Sequence, residues 1–592
     1  MSRRAWVFRA ARGAAVAALL SAAVPCAAED LPYSAYELAV IDAELDRRNA
    51  VMDPAPEGKI ISAIEIVRLD VLDDSDPVPD FFNVFHVTTL ERVVRRELLF
   101  REGEPFSSAR ADETARNLRR VRQLSVVLVI PFTDEVEGRV RVLVVTKDVW
   151  SLRLNSNFQI ANGSLNYLLL NPSEENAFGT HGSVGGVFIL RPSTYSTGLL
   201  LSHARVFGSR LAGSVSGSVV FARETGEAEG SFGSFSYGLP QYSAEQRWAF
   251  QTSVWWSNTV ARVSLLTDDG RVRLTYRSER YVGSTELLRS YGVRDKADVS
   301  VGVEADRRAY RPRIPQGTDP ELARFFLENE VPLGDVRISP YLQLRTYENR
   351  FLKTIELETL GLQEDYRLGP TTLLKLYPAS TRVGSSRDML GVLAGVGYTL
   401  PLGNGLLRAV AASTLEYAAQ RKYDALAQAS LRVASPRLGL GRLVFDAVLD
   451  NRFYDHLNRQ YAIGGDDRLR GYPSGDPELK GGEAQRGNDA LVLNTEFRSS
   501  AMDVLSAQCG FALFHDAGDA ADTLSRLELR HSVGVGLRVL FPQANRIVFR
   551  ADWAFPLSAG YETLPGAVFV TFGQAFLMPE LLPPSSLASF LE

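Results

Sequence analysis

The chain has 592 residues, 45% hydrophobic, 23% charged and 10% aromatic, which excludes a low-complexity tail and a bundle of membrane helices. Lys plus Arg total 65 against 70 Asp plus Glu, a formal charge of −5 that argues against a general electrostatic grip on nucleic acid. With only Cys26 and Cys509 present, a disulfide scaffold is excluded too.

Residues 1–28 read as a secretory signal peptide. Arg3, Arg4, Arg9 and Arg12 precede an apolar stretch from Ala14 to Val24, and the small residues Cys26, Ala27 and Ala28 fit a cleavage site. Ala23-Val24-Pro25 lacks the pattern that would make Cys26 a lipid-bearing residue, and Ser2-Arg3-Arg4 is read as chance rather than a twin-arginine signal. Residues 29–58 are expected to be a linker segment, with one short helix around Tyr36 to Arg47 and a breaker run, Asp53-Pro54-Ala55-Pro56-Glu57-Gly58.

A domain is expected over 59–149, in the order strand, helix, helix, strand, strand. Ile60 to Leu69 has the β-branched content of a strand. Thr88 and Glu91 have capping-box spacing at the start of a helix running to Phe100. A second helix, about Ala109 to Arg122, turns Ala111, Ala115, Leu118 and Val121 to one face. Ser125 to Ile130 and Arg139 to Val145 read as strands joined across Glu137-Gly138, completing a small α+β unit.

After Trp150, two-residue alternation replaces helical periodicity. Arg442 to Asp450 puts Leu443, Phe445, Ala447 and Leu449 on one face and Arg442, Asp446 and Asp450 on the other. Arg546 to Phe555 repeats the rule, with Ile547, Phe549, Ala551, Trp553 and Phe555 opposite Arg546, Arg550 and Asp552. Trp248, Phe250, Thr252, Val254 and Trp256 do likewise, and Asp268-Asp269-Gly270 reads as a tight hairpin turn. No run of 18 apolar residues follows residue 28, so no membrane helix is expected. A transmembrane barrel needs only ~9–11 alternating residues per strand, and a mean hydropathy of −0.07 suits one.

A soluble sandwich has the same period. The export signal and the aromatic residues near strand ends favour a membrane barrel over 150–576, an all-β wall of about sixteen antiparallel strands at about 27 residues each with loop. Residues 577–592 are left as a carboxy-terminal tail.

Specific residues carry a resemblance. Arg96-Glu97-Leu98-Leu99-Phe100, Glu102-Gly103, Arg116-Asn117-Leu118-Arg119 and Val144-Val145-Thr146-Lys147-Asp148-Val149-Trp150 resemble a POTRA domain, the periplasmic module of outer-membrane assembly proteins. Leu469-Arg470-Gly471-Tyr472, in a glycine-rich charged segment, resembles the motif of the sixth extracellular loop of the BamA/TamA superfamily. Phe514-His515-Asp516-Ala517-Gly518 resembles that family's aromatic-x-Asp-x-Gly strand motif, carried here by Phe514, Asp516 and Gly518. The resemblance implies that the loop folds into the lumen and that Arg470 pairs with Asp516. Leu493 to Arg498, Gly534 to Arg538 and Asp552 to Leu557 look like the family's last strands. Val568, Val570, Phe572 and Phe576 resemble its terminal strand signal, although sixteen residues follow Phe576.

The resemblance further implies an outer-membrane protein of a Gram-negative bacterium, its POTRA domain in the periplasm, that inserts or translocates proteins. Expected partners are unfolded outer-membrane or secreted clients, outer-membrane lipids and periplasmic accessory proteins, with no nucleic acid and no cofactor. A two-partner secretion pore and a passive or structural barrel are the alternatives. No enzyme is expected: no Gly-x-Ser-x-Gly elbow or phosphate loop occurs. His86, His181, His203, His456, His515 and His531 lack metal-ligand spacing, and Asp466-Asp467 reads as a solvated acidic turn rather than a calcium site. His515 beside Asp516 is read as a lumen-facing or lipid-edge residue.

Overall fold

The computed structural model describes residues 33–581, except 73–82, 85, 122, 162–163, 268–269, 419–422, 455–460, 466–467, 473–484, 544–545, 559–565 and 577. The expected signal peptide, the Asp268-Asp269 turn, Asp466-Asp467 and most of the 577–592 tail therefore lie outside the described residues.

The amino-terminal unit consists of α1 (Ala35–Asp46), β1 (Ile60–Leu69), α2 (Glu91–Glu97), α3 (Ser108–Arg119), β2 (Leu124–Thr133) and β3 (Arg139–Asp148). The sheet order is β1-β3-β2. β1 and β3 run parallel, which requires the crossover through α2 and α3, while β2 and β3 form an antiparallel hairpin. Val94, Leu98, Ala111, Ala115 and Leu118 of the helical side pack on Ile61, Ile64, Val127, Val142 and Val144.

Residues 29–58 are not a linker in their described part. Ile41 and Leu45 of α1 cover the opposite sheet face, against Val126, Leu128, Ile130, Phe132, Leu143 and Val145. Because both faces are covered, β2 and β3 are buried almost continuously instead of alternating. Ser34 and Glu37 close the capping box of α1. The box expected at Thr88 and Glu91 does not form: α2 starts at Glu91 behind Leu90, which has no side-chain cap. Thr89, between Thr88 and Leu90, is drawn to Asp148 instead, through its N–H at 2.6 Å and its hydroxyl at 2.9 Å.

The rest is one closed antiparallel barrel. Its first half comprises β4 (Leu152–Ala161), β5 (Ser164–Ala177), β6 (Gly182–Leu190), β7 (Thr194–His203), β8 (Ala212–Ala222), β9 (Ala228–Leu239), β10 (Trp248–Thr267), β11 (Gly270–Tyr291), β12 (Asp295–Arg313) and β13 (Asp335–Glu348). A helix, α4 (Pro320–Phe325), lies between β12 and β13. A separate hairpin follows, β14 (Phe351–Ile355) with β15 (Gln363–Arg367). The wall resumes with β16 (Gly369–Ala379), β17 (Met389–Leu402), β18 (Gly405–Ala418), β19 (Tyr423–Ala434) and β20 (Gly441–Tyr454). A second small hairpin, β21 (Tyr461–Ile463) with β22 (Gln485–Gly487), precedes β23 (Asp489–Ser499). Then come β24 (Met502–Val504), β25 (Ala507–Ala521), β26 (Arg530–Leu540), β27 (Phe549–Pro556) and β28 (Ala567–Phe572), and β28 closes onto β4.

Since β24 continues β23 along β25, the wall has 20 strands, not about sixteen. The difference lies in the connections. Ala161 pairs with Ser164, Thr267 with Gly270 and Leu402 with Gly405, so many strands turn with almost no loop and use less chain than expected. The alternation sets sidedness: Leu443 and Trp553 face outward and exposed, while Arg442, Asp446, Asp450, Arg550 and Asp552 face inward and buried.

Asp148, at the end of β3, ties the amino-terminal unit to the β5–β6 turn. Its Oδ2 also accepts from Asn176 Nδ2 at 3.1 Å and lies 3.1 Å from His86 Nε2, and the Thr89 hydroxyl lies 3.0 Å from His181 Nε2. Burial pushes the His181 imidazole down to about 4, against the pull of Asp148. An exposed imidazole takes up its proton near 6.5, so the junction is fully stable above that pH and weakens as pH falls toward 4. Hydrogen-exchange protection at residues 86–89 and 176–181, corrected for the intrinsic pH dependence of exchange, is therefore expected to fall over this range in the native chain and to lose that dependence in His181→Gln.

Candidate functional site

The lumen is filled from both ends. From the end opposite the amino-terminal unit, the segment between β20 and β23 folds inward and delivers Leu469, Arg470, Gly471 and Tyr472. Leu469 and Tyr472 pack with Ile463, Ala490, Val492 and Ala520. The Tyr472 hydroxyl donates to the His531 carbonyl at 2.8 Å and lies 2.9 Å from Ser558 Oγ. Gly471 has φ +94, and a Cβ there would come within 3.3 Å of the Pro556 nitrogen, so glycine lets the loop lie against the wall.

Arg470 is completely buried. Its Nε and Nη2 donate to the two oxygens of Asp516 at 2.8 and 2.9 Å, a two-pronged pairing whose geometry fits carboxylate. Nη1 donates to Asp552 Oδ2 at 2.9 Å and lies 3.6 Å from Glu496. Phe514 places its ring centroid 3.4 Å beneath the guanidinium. Gly518, further along β25, allows close passage by Leu491 and Ile463.

Sequence reasoning had named the Arg470–Asp516 pair but not the network around it. Glu496 on β23 and Asp552 on β27 are shared with Arg498, Arg538 and Arg550, at 3.0 Å for Arg498–Glu496, 2.7 Å for Arg538–Glu496 and 2.5 Å for Arg538–Asp552. The available signal was the inward alternation of Asn494, Glu496 and Arg498, and of Arg550 and Asp552. Gly536 is part of the same fit, because a Cβ there would collide with Asp552 Oδ1 at 2.1 Å.

From the other end comes an element not expected from the sequence, the hairpin β14–β15. At its tip, Glu364 accepts the N–H groups of Leu357, Glu358 and Thr359 at 2.9–3.1 Å, so the tip holds its own shape. Leu357 packs with Leu406, Ala434, Val444 and Phe576, while Leu360 and Leu362 pack with Leu540 and Val548. Glu358 receives Arg432 Nη1 at 2.8 Å. The hairpin base is fixed to the amino-terminal unit by Arg119–Asp365 and Lys353–Asp112, at 2.9 and 2.5 Å.

Val568, Val570 and Phe572 lie on β28 as expected, but Phe576 does not share that strand. Gly573, at φ +104, turns the chain into the lumen. There the Phe576 carbonyl accepts from Arg432 Nη2 at 3.0 Å, and its ring lies 5.4–5.7 Å from the guanidinium groups of Arg432, Arg470 and Arg498. The guanidinium groups of Arg432, Arg470 and Arg498 around its face favour this ring inside the lumen. His515 does not work with Asp516. It points outward and stacks on His531, ring nitrogens 3.1 Å apart. No cluster of three metal-ligating side chains occurs among the described residues.

No curated protein sequence matches the chain. Among solved structures, it is similar to CdiB from Acinetobacter baumannii (14% identity, 88% of this chain and 77% of that one, TM-score 0.41). It is similar also to BamA from Haemophilus ducreyi lacking POTRA domains 1–3 (13%, 92% and 94%, TM-score 0.32). A third is CdiB from Escherichia coli (10%, 90% and 83%, TM-score 0.40). Residues 408–576, which contain the Arg470 loop, Asp516, Glu496 and Asp552, match the Omp85 superfamily domain. The match spans the segment that builds the lumen network, so this carboxy-terminal part of the chain is similar to the Omp85 superfamily domain.

Proposed function

We propose that the chain inserts or translocates proteins at the outer membrane of a Gram-negative bacterium. The amino-terminal unit serves as a periplasmic POTRA domain, and the barrel opens sideways between its first and last strands. The observation that carries this reading is the β28–β4 join. Among the described residues, Val568, Phe569 and Val570 alone pair across it, with Ile160, Gln159 and Phe158, and the rest of β4, Leu152–Asn157, pairs only with β5. Among the described residues it is the shortest join between neighbouring wall strands. Each backbone bond contributes roughly 1 kcal/mol net, so this seam separates most easily.

Clients are received on β1, an edge strand of its sheet. Residues 102–106 cover its first half, through Gly103 N–H to Ile61 O and Phe106 N–H to Lys59 O, each at 2.8 Å, and Ile64 N–H to Glu102 Oε1 at 3.1 Å. An extended client segment adds to the remainder by β-augmentation. Periplasmic accessory proteins dock on the same unit. The Arg470 network locks β23, β25 and β27 together, so the wall on that side stays rigid while the seam moves.

A passive channel fits the structure less well, because the Arg470 loop motif, the hairpin and Phe576 all occupy the lumen. Planar-bilayer recordings are expected to show small, unsteady currents, and a large steady conductance would favour the passive barrel.

Two further outcomes test the reading. Arg470→Ala or Asp516→Ala strands a buried charge, a change on the order of 3–5 kcal/mol, and should lower heat-modifiable gel mobility and client assembly in liposomes while leaving the POTRA unit folded. Wild-type behaviour of both variants would remove the lock. In a Cys509→Ser background, Phe158→Cys with Val570→Cys should cross-link the seam on oxidation and stop client insertion until reduced. Undiminished insertion by the oxidised form excludes sideways opening.

A further inference from the structure

Where the amino-terminal unit meets the barrel there is a cavity of about 560 Å³. Arg95, Arg96 and Arg101 line one side, and Arg205, Gly208 and Arg210 of the β7–β8 turn line the other. Two of these cations are neutralised, Arg95 by Glu91 at 2.9 Å and Arg205 by Glu97 at 2.6 Å. Among the described residues, no carboxylate lies within ion-pair distance of Arg96, Arg101 or Arg210. The lining carboxylate of Glu102 is turned to the Ile64 N–H at 3.1 Å.

The arginines are held rather than loose. Arg210 donates through Nη2 to the Arg96 carbonyl at 2.9 Å and lies 3.9 Å from the Tyr242 ring centroid, while its buried Nη1 has no partner. Arg96 rests on Gly208, at φ +73, where a Cβ would come within 2.5 Å of Nη1. Gathered like charges and an unsatisfied buried donor are favourable only with an anion between them.

The same turn shows where that anion comes from. Phe207 sits at φ +50 with its ring fully exposed, a few residues past Leu199 and Leu201, whose exposed side chains mark the apolar band of β7. Phe178, on the β5–β6 turn, is also exposed at positive φ. A left-handed aromatic pointing into water is unfavourable, and at the edge of a bilayer it is stabilised.

We propose that this cavity binds the phosphate headgroup of an anionic phospholipid from the leaflet nearest the amino-terminal unit. Arg96, Arg101 and Arg210 grip the phosphate, and Phe207 enters the acyl boundary. The proposal rests on the membrane placement given above, and its test involves no client, so its failure leaves the insertion reading untouched.

Full-length protein stripped of lipid in detergent is titrated with short-chain phosphatidylglycerol, phosphatidylcholine of equal chain length and inorganic phosphate, and bound species are resolved by native mass spectrometry. Phosphatidylglycerol should bind at least about tenfold more tightly than phosphatidylcholine, and each arginine removed should weaken it about fivefold. Arg101→Gln with Arg210→Gln should abolish the preference without changing heat-modifiable mobility. Arg101→Gln alone keeps the test open if Arg210→Gln disturbs its packing on Tyr242, and Phe207→Ser should weaken longer-chain phosphatidylglycerol more than short. Equal affinity for the two lipids, an unchanged preference in Arg101→Gln, or displacement of phosphatidylglycerol by equimolar inorganic phosphate would overturn the proposal.

Discussion

The molecule depends on a guanidinium with no water around it. Burying Arg470 is costly unless carboxylates surround it, and Asp516, Asp552 and Glu496 arrive from three different wall strands. Their mutual repulsion is relieved by Arg498, Arg538 and Arg550, so no member is satisfied until the loop is inside and the strands are in register. A one-residue slip of β25 or β27 would turn its carboxylate to the lipid side, which makes the network a check on strand register as well as a loop anchor.

What the sequence made legible follows from local chemistry. Alternation of charged and apolar residues along 442–450 and 546–555 is a property of each strand alone, so the barrel could be read without knowing its neighbours. Arg470 and Asp516 stand in short motifs, and so does Asp552 in its strand. Strand number was not legible in the same way, because it depends on how much chain the turns consume. The hairpin 349–368 was missed for a related reason. Lys353, Thr354, Ile355, Glu356 and Leu357 alternate like wall residues, and distant contacts take them out of the wall: the Glu364 carboxylate folded back on the tip, Lys353 paired with Asp112, and Leu357 packed in the lumen.

Two other departures share a cause in tertiary competition. Thr89, next to the residue that would have capped α2, is claimed by Asp148. Phe576 would have ended the last strand, and the arginines of the lumen hold it instead. In both places the local preference is real and a distant partner outweighs it.

β10, β11 and β12 have 20, 22 and 19 residues, about twice what crossing the apolar band takes. At about 3.3 Å per residue the ribbon stands well beyond its neighbours β9 and β13, which have 12 and 14 residues. Its ladder is unbroken from Trp248–Arg289 to Thr267–Gly270, and Phe326 beside α4 packs against Val263 and Leu274 to brace it. Anything approaching the barrel from the end opposite the amino-terminal unit meets a stiff mast there rather than a soft loop.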